Sequence, residues 1–248
     1  MTTQPFLSWA TTHPGAKRPY NQDRFVNRPD LGLWAVADGA GGHKGGEIAS
    51  GMLRDALEEI PLFLSASELL AQVRLKVRSA HDALRSMAEE SEQSIQGAST
   101  IVVLIVRNDH FACLWAGDSR SYLLRDETFH QITHDHSLVQ ELVDSGAVRP
   151  EDADSHPRSN VITRAVGADI EELVLDKISG RTQPGDRFLL CSDGLYKCLK
   201  ESEIANLLNE SHGVPPTQAM IAAALSMNAD DNVTAVAVEI NRPRLAEF

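Results

Sequence analysis

The sequence has little with which to build a thiolate metal site, a disulfide framework or a bilayer span. Its three cysteines, Cys113, Cys191 and Cys198, are odd in number and lack metal-ligand spacing, which fits a reducing compartment. Its longest plain apolar run, Ile101 to Val106, falls far short of the ~20 residues a membrane helix needs. No charged-then-apolar leader pattern is present near Met1, so a cytoplasmic protein with no membrane partner is expected. Positive charge is also scarce. Lys and Arg number 23 against 35 Asp and Glu, a net charge of -12, which argues against nucleic acid and anionic lipid as partners. The one basic cluster, Arg74, Lys76 and Arg78, lies within a helical pattern and reads as a solvated face. Internal repeats, heptads and low-complexity tracts are absent. At 248 residues with 42% hydrophobic content, a single domain over 1–248 is expected.

What is present centres on the stretch from Leu33 to Glu47. A short apolar run ends in Asp38, and glycines at 39, 41, 42, 45 and 46 then leave the backbone open to tight turning and close approach. A P-loop is excluded because Lys44 is followed by Gly45 rather than Ser or Thr. A dinucleotide fingerprint is excluded because Lys44 stands where its third glycine belongs. Two readings remain: an Asp-Gly hairpin turn, or an acid at a strand end that holds a hard cation.

The rest of the chain alternates short strands with a few helices. Strands are expected at 8–12, near 24–26, at 33–37, 100–107, 111–116, 121–124, 128–132, 173–178, 187–192 and 233–240. Helices are expected from Glu47 to Ile60, from a Ser67 cap along the stripe Leu69, Val73, Val77, Ala80, Leu84, Met87, and at 137–144, 202–208 and 216–227. Residues 135–167 are polar and weakly periodic, which reads as an inserted flap. Hairpin turns outnumber strand-helix alternations, so the expected class is α+β, with antiparallel sheets covered by helices.

Four acids share one context. Asp38, Asp118 and Asp193 each end an apolar strand, and Asp231 begins one; Asp23 lies at the start of another. Buried acids are costly to ionise unless a cation or donors neutralise them. A fold that gathers such strand ends makes an oxygen-only site suited to Mg2+ or Mn2+. A turn-forming Asp explains any one of these acids but accounts poorly for four flanked by Gly or Asn.

The ordered set carries a resemblance. Arg18-x-x-Asn21-Gln22-Asp23, Ala37-Asp38-Gly39-x-Gly41-Gly42, Gly117-Asp118-Ser119-Arg120, Asp135-His136-Ser137, Asn160 to Gly167, Ser192-Asp193-Gly194-Leu195 and Asp231-Asn232-Val233-Thr234 follow one another along the whole chain. The sequence resembles the metal-dependent protein serine/threonine phosphatases of type 2C in their compact bacterial form. That resemblance implies two antiparallel β-sheets packed as a sandwich with α-helices on both outer faces and a metal site at one end. It implies two core ions, Mn2+ or Mg2+, with Asp38 bridging them, the Gly39 carbonyl on one, Asp193 and Asp231 on the other, and Asp23 acting through water. Asp118, with Asp193, matches a third metal position, and Arg18 matches the arginine that grips the substrate phosphate. The implied partners are phosphorylated proteins made by a bacterial Ser/Thr kinase, and the kinase itself, with the phosphatase a monomer. Two departures stand out: Gln22 where many eukaryotic members have Glu, and Ala40 where they have His. His43 is a candidate substitute general acid, and an exposed loop histidine is the other reading. His134 and His136 are expected to orient the start of the flap. Alternative functions on the same scaffold are a hydrolase of small phosphorylated molecules and a non-catalytic phosphoprotein-binding module.

Overall fold

The computed structural model describes residues 6–41, 44–90, 97–153, 156–209 and 213–241. In chain order the first half holds β1 (Phe6–His13), β2 (Arg24–Arg28), β3 (Leu33–Ala37), β4 (Gly39–Ala40), α1 (Gly45–Glu58), α2 (Ala66–Glu90), β5 (Ala98–Ser99), β6 (Ile101–Arg107) and β7 (His110–Ala116). The second half holds β8 (Arg120–Arg125), β9 (Thr128–Gln131), α3 (Leu138–Asp144), a 3-10 turn (Pro150–Asp152), β10 (Asp176–Arg181), β11 (Arg187–Cys191), α4 (Asp193–Tyr196), α5 (Glu201–Asn209), α6 (Pro216–Ser226) and β12 (Val233–Ile240).

Two five-stranded sheets form, one in the order β1-β12-β11-β8-β9 and one in the order β10-β7-β6-β3-β2, with every pair antiparallel. The side-chain period of two sorts each central strand between layers. In β3, Trp34 and Val36 face the other sheet, while Leu33, Ala35 and Ala37 pack under α1 and α2. In β6, Val102, Leu104 and Val106 face the other sheet, and Ile101, Val103 and Ile105 face the helices. In β12, Val236, Val238 and Ile240 face inward, and Val233, Ala235 and Ala237 meet the α5–α6 layer. Both faces of these strands are buried, so their sequences read as unbroken apolar runs. The result is the α-β-β-α sandwich the sequence predicts. Among the described residues, no helix is long and apolar enough to cross a membrane.

Three boundaries differ from the sequence expectation. The cap of α2 is Ser65, whose Oγ accepts from Glu68 N at 3.3 Å while the Glu68 carboxylate accepts from Ser65 N at 2.8 Å, a reciprocal capping box. The buried stripe of α2 ends at Leu84, and Met87 is exposed. Strand β10 begins at Asp176, not Leu173. Leu173 and Leu175 pack against the helix-side core instead, and the strand itself is a mostly exposed edge.

Candidate metal centre

Antiparallel register brings the acid-bearing ends together. Ala37 pairs with Arg24, so Asp38 leaves β3 beside Asp23 at the entrance to β2. Cys191 pairs with Ala235, so Asp193 leaves β11 beside the start of β12, where Asp231 stands. Asp118 follows β7, whose last residue, Ala116, pairs with Ile101. These five acids lie at one end of the sandwich.

Local bonding explains how each acid is carried. The Asp38 backbone is clamped: Thr100 N donates to its carbonyl at 2.9 Å, Ser99 Oγ donates at 3.0 Å, and Asp38 N donates to Thr100 Oγ1 at 3.1 Å. Gly39 then presses against the first turn of α1, where a side-chain carbon on Gly39 would come within 2.2 Å of Gly46 O. That close approach is why this turn takes glycine on both sides. Asp23 is fully buried, and its Oδ2 accepts from Ser192 Oγ at 2.7 Å and Thr234 Oγ1 at 2.6 Å. Its Oδ1 has no hydrogen-bond partner among the described residues. Asp118 is 4% exposed, and among the described residues no other residue donates to its carboxylate.

These carboxylates act on one another. Burial, followed by the charges of Asp23, Asp193, Asp118 and Asp231, holds the Asp38 carboxyl well above the usual range. Burial pushes Asp23 up to about 7, reinforced by Asp193 and Asp231 and opposed by its two hydroxyl donors. Asp118 is likewise pushed up to about 7, by burial and then Asp193, against the pull of Lys197. Two side-chain cations are seated on the group. Arg18 grips Asp231 with a two-pronged pair, Nε to Oδ1 at 2.9 Å and Nη2 to Oδ2 at 2.8 Å. Lys197 Nζ lies 2.6 Å from Asp193 Oδ2. Among the described residues, no three His, Cys, Asp or Glu side chains close on a single point as a ligand cluster. The acids share a field, with Arg18 and Lys197 on two of them.

The donor set fits a hard divalent cation. It is all oxygen, it includes a buried carboxylate oxygen without a partner, and its mutual repulsion is the kind that a dication relieves.

Every acid named from the sequence reaches this end of the fold, and Gly39 sits beside Asp38. Arg18 is here too, paired with an expected metal ligand. His43 lies outside the described residues. His134 and His136 serve the flap: His134 Nε2 pairs with Asp144 Oδ2 at 2.8 Å, and His136 Nδ1 accepts from Gly117 N at 3.1 Å. Sequence reasoning missed four supporting side chains. Ser192 and Thr234 hold Asp23, and Lys197 holds Asp193. Asn232 ties the Arg18 loop down, donating from Nδ2 to Pro14 O at 2.9 Å and Tyr20 O at 3.0 Å and accepting from Gln22 N at 2.7 Å. Ser192, Thr234 and Asn232 each fall within a quoted motif, which was the available signal; Lys197 had none.

The chain is similar to known proteins. A family model described as Protein phosphatase 2C matches residues 16–233. The serine/threonine phosphatase stp of Listeria welshimeri is 35% identical over 239 residues, covering 93% of this chain and 94% of that one. The solved structure of PppA, described as a key regulatory component of T6SS in Pseudomonas aeruginosa, is similar with a TM-score of 0.86 and 38% identity, covering 94% of this chain and 97% of that one. The catalytic domain of the serine/threonine protein phosphatase PstP, solved with two manganese ions, is similar with a TM-score of 0.85 and 31% identity, covering 96% and 99%.

Proposed function

The chain belongs to the protein phosphatase 2C family, and we infer that the acid-lined end of its sandwich removes phosphate from phosphoserine and phosphothreonine in proteins. It is a metal-dependent enzyme of the serine/threonine phosphatase class. The observation that carries the site assignment is the gathering of Asp23, Asp118, Asp193 and Asp231 around Asp38 at one end of the sandwich, where burial first and then their charges hold its carboxyl above the usual range.

In this reading Asp38, the Gly39 carbonyl, Asp193 and Asp231 hold two ions, Mn2+ or Mg2+, Asp23 acts through water, and Asp118 with Asp193 supports a third position. When bound, such ions supply Lewis acidity and lower the pKa of a water that attacks phosphorus. The protein's own groups do the rest. Ser192 and Thr234 fix Asp23 Oδ2, which leaves Oδ1 to accept a proton-bearing partner. The Thr100–Ser99 clamp fixes the Asp38 backbone so that little reorganisation is needed at the reacting centre. Arg18 presents a planar fork, now on the Asp231 carboxylate, that suits two oxygens of a phosphate equally well. The substrates are proposed to be products of a Ser/Thr kinase, including the kinase itself, since those are the proteins that carry this ester.

The test is phosphate release from a phosphothreonine peptide after chelator treatment. Activity should vanish in EDTA and return with Mn2+ or Mg2+. Full turnover in excess chelator would overturn the metal assignment.

A further inference from the structure

Lys197 caps α4, one turn beyond Asp193, and its ammonium makes two short contacts. One is to Asp193 Oδ2 at 2.6 Å, and the other is to Asn160 Oδ1 at 2.7 Å. Asn160 belongs to the polar segment between α3 and β10, the flap. A single charge therefore touches both the acid centre and the flap. Beneath it is a cleft of about 240 Å³ whose lining includes Asp118, Asp135, Ser137, Asn160 and Lys197. Arg120 also lines this cleft, but its guanidinium is committed. It forms a bidentate pair with Asp135, Nε to Oδ1 at 3.1 Å and Nη2 to Oδ2 at 2.7 Å, and lies 3.7 Å over the Tyr196 ring. Tyr196 in turn donates from its hydroxyl to Asp118 O at 3.0 Å, which fixes the Asp118 backbone at the cleft. Among the described residues, Asp118 is left nearly buried and without another residue's donor on its carboxylate. Lys197 is the cation available to it.

We propose that Lys197 is a tethered cation occupying the place beside Asp193 and Asp118 where a further divalent ion would bind, and that it latches the flap through Asn160. The proposal rests on the metal reading of the centre given above. Ammonium and ion are mutually exclusive in it, because each would draw on the Asp193 carboxylate oxygen that Lys197 contacts, and two cations repel there. When an ion takes that oxygen, Lys197 leaves and the Asn160 contact goes with it. Occupancy of the extra position and release of the flap are thus one event. A lysine ammonium is charged throughout the neutral range, so the latch keeps its charge there.

Two measurements test this. Equilibrium dialysis counts Mn2+ per chain in the wild type, Lys197→Met, Lys197→Arg and Lys197→Met/Asp118→Asn. Methionine has similar length and a soft thioether that is a poor ligand for a hard ion. The side chain it replaces is 33% exposed, so the fold has room for it. At matched free Mn2+, Lys197→Met should bind one more ion than the wild type, the double variant should lose it, and Lys197→Arg should keep the wild-type count. Hydrogen exchange of the 156–164 backbone, measured in chelator, reads the latch with no ion involved. One charge-assisted hydrogen bond at a partly exposed site sets the expected acceleration at about tenfold in both Lys197→Met and Asn160→Ala. Equal Mn2+ counts in wild type and Lys197→Met would overturn the competition, and unchanged exchange in both variants would overturn the latch. A wild type that binds no Mn2+ at all would instead overturn the metal reading, while the exchange result still decides the latch.

Discussion

Replacing Asp by Asn at position 230, and separately at 231, removes the same charge from adjacent residues whose surroundings differ. Asp230 is exposed, and its carboxylate lies 3.5 Å from Lys17, with side chains 72% and 60% open to solvent. A pair so exposed contributes at most about 0.5 kcal/mol. Asp231 receives the two-pronged grip of Arg18 and also accepts from Asn232 N at 2.9 Å. With 40% of its side chain exposed, that pair is worth only ~1 kcal/mol of stability after solvent screening. Both variants should therefore fold. Their activities should separate widely, because Asp231 belongs to the group whose charges converge on Asp38 and Asp230 does not. On the proposed ligand role of Asp231, its loss should exceed the 10- to 100-fold typical of outer-shell changes, so Asp231→Asn is expected to fall by about 100-fold or more. Asp230→Asn should stay within about twofold of wild type. The assay is peptide dephosphorylation at a fixed, moderate Mn2+ concentration, with urea unfolding to confirm that both variants are native. Equal losses, or a worse Asp230 variant, would refute the placement of Asp231 in the centre.

Arg18→Ala should raise KM for a phosphopeptide more than it lowers kcat, and Arg18→Lys should recover only part, because an ammonium lacks the planar fork; an unchanged KM would count against the phosphate grip. Thr234→Val and Ser192→Ala each remove one donor from the fully buried Asp23 carboxylate and should each cost about 1–3 kcal/mol in urea unfolding, whereas a cost near zero would mean Asp23 is not held as described. Stability in chelator should also depend on pH in an unusual sense. Asp23 and Asp118 sit at about 7 in the folded chain against an ordinary 3.8, so the native state binds more protons than the unfolded one. Their contribution is whole below 3.8 and is lost as pH rises through about 7, so the urea midpoint should fall across that window; a midpoint that rises there would refute the raised values.

The parts of this molecule legible in the sequence are those governed by burial. Runs such as Ile101 to Val106 and Val233 to Val238 announce strands covered on both faces, and acids at their ends stand out because such positions penalise charge. What was misplaced or missed obeys other rules. Strand β10, Asp-Lys-Ile-Ser-Gly-Arg, is an edge held by backbone pairing to β7, so its side chains carry little apolar signal, and the nearby Leu173 and Leu175 drew the boundary away. The cap of α2 went to Ser65 over Ser67 because the reciprocal bond with Glu68 decides it, and two serines two residues apart look alike by type. Lys197 has no sequence signature because its role depends on Asn160, 37 positions away, reaching it through the tertiary fold.

The sheet order β1-β12-β11 bears on how the protein is made. Strand β12, the last among the described residues, lies inside its sheet, with β1 pairing along one edge and β11 along the other. Until residues 233–240 clear the ribosome, β1 has no neighbour in that sheet, and Thr234, Asn232 and Asp231 have not reached the end of the sandwich. Until then Asp23, Asp38 and Asp118, gathered by the other sheet, lack Asp231 and the Thr234 hydroxyl that holds Asp23. Closure by β12 brings the acids of the two sheets together, so a chain stopped short of it lacks a placed Asp231 and the Thr234 hold on Asp23.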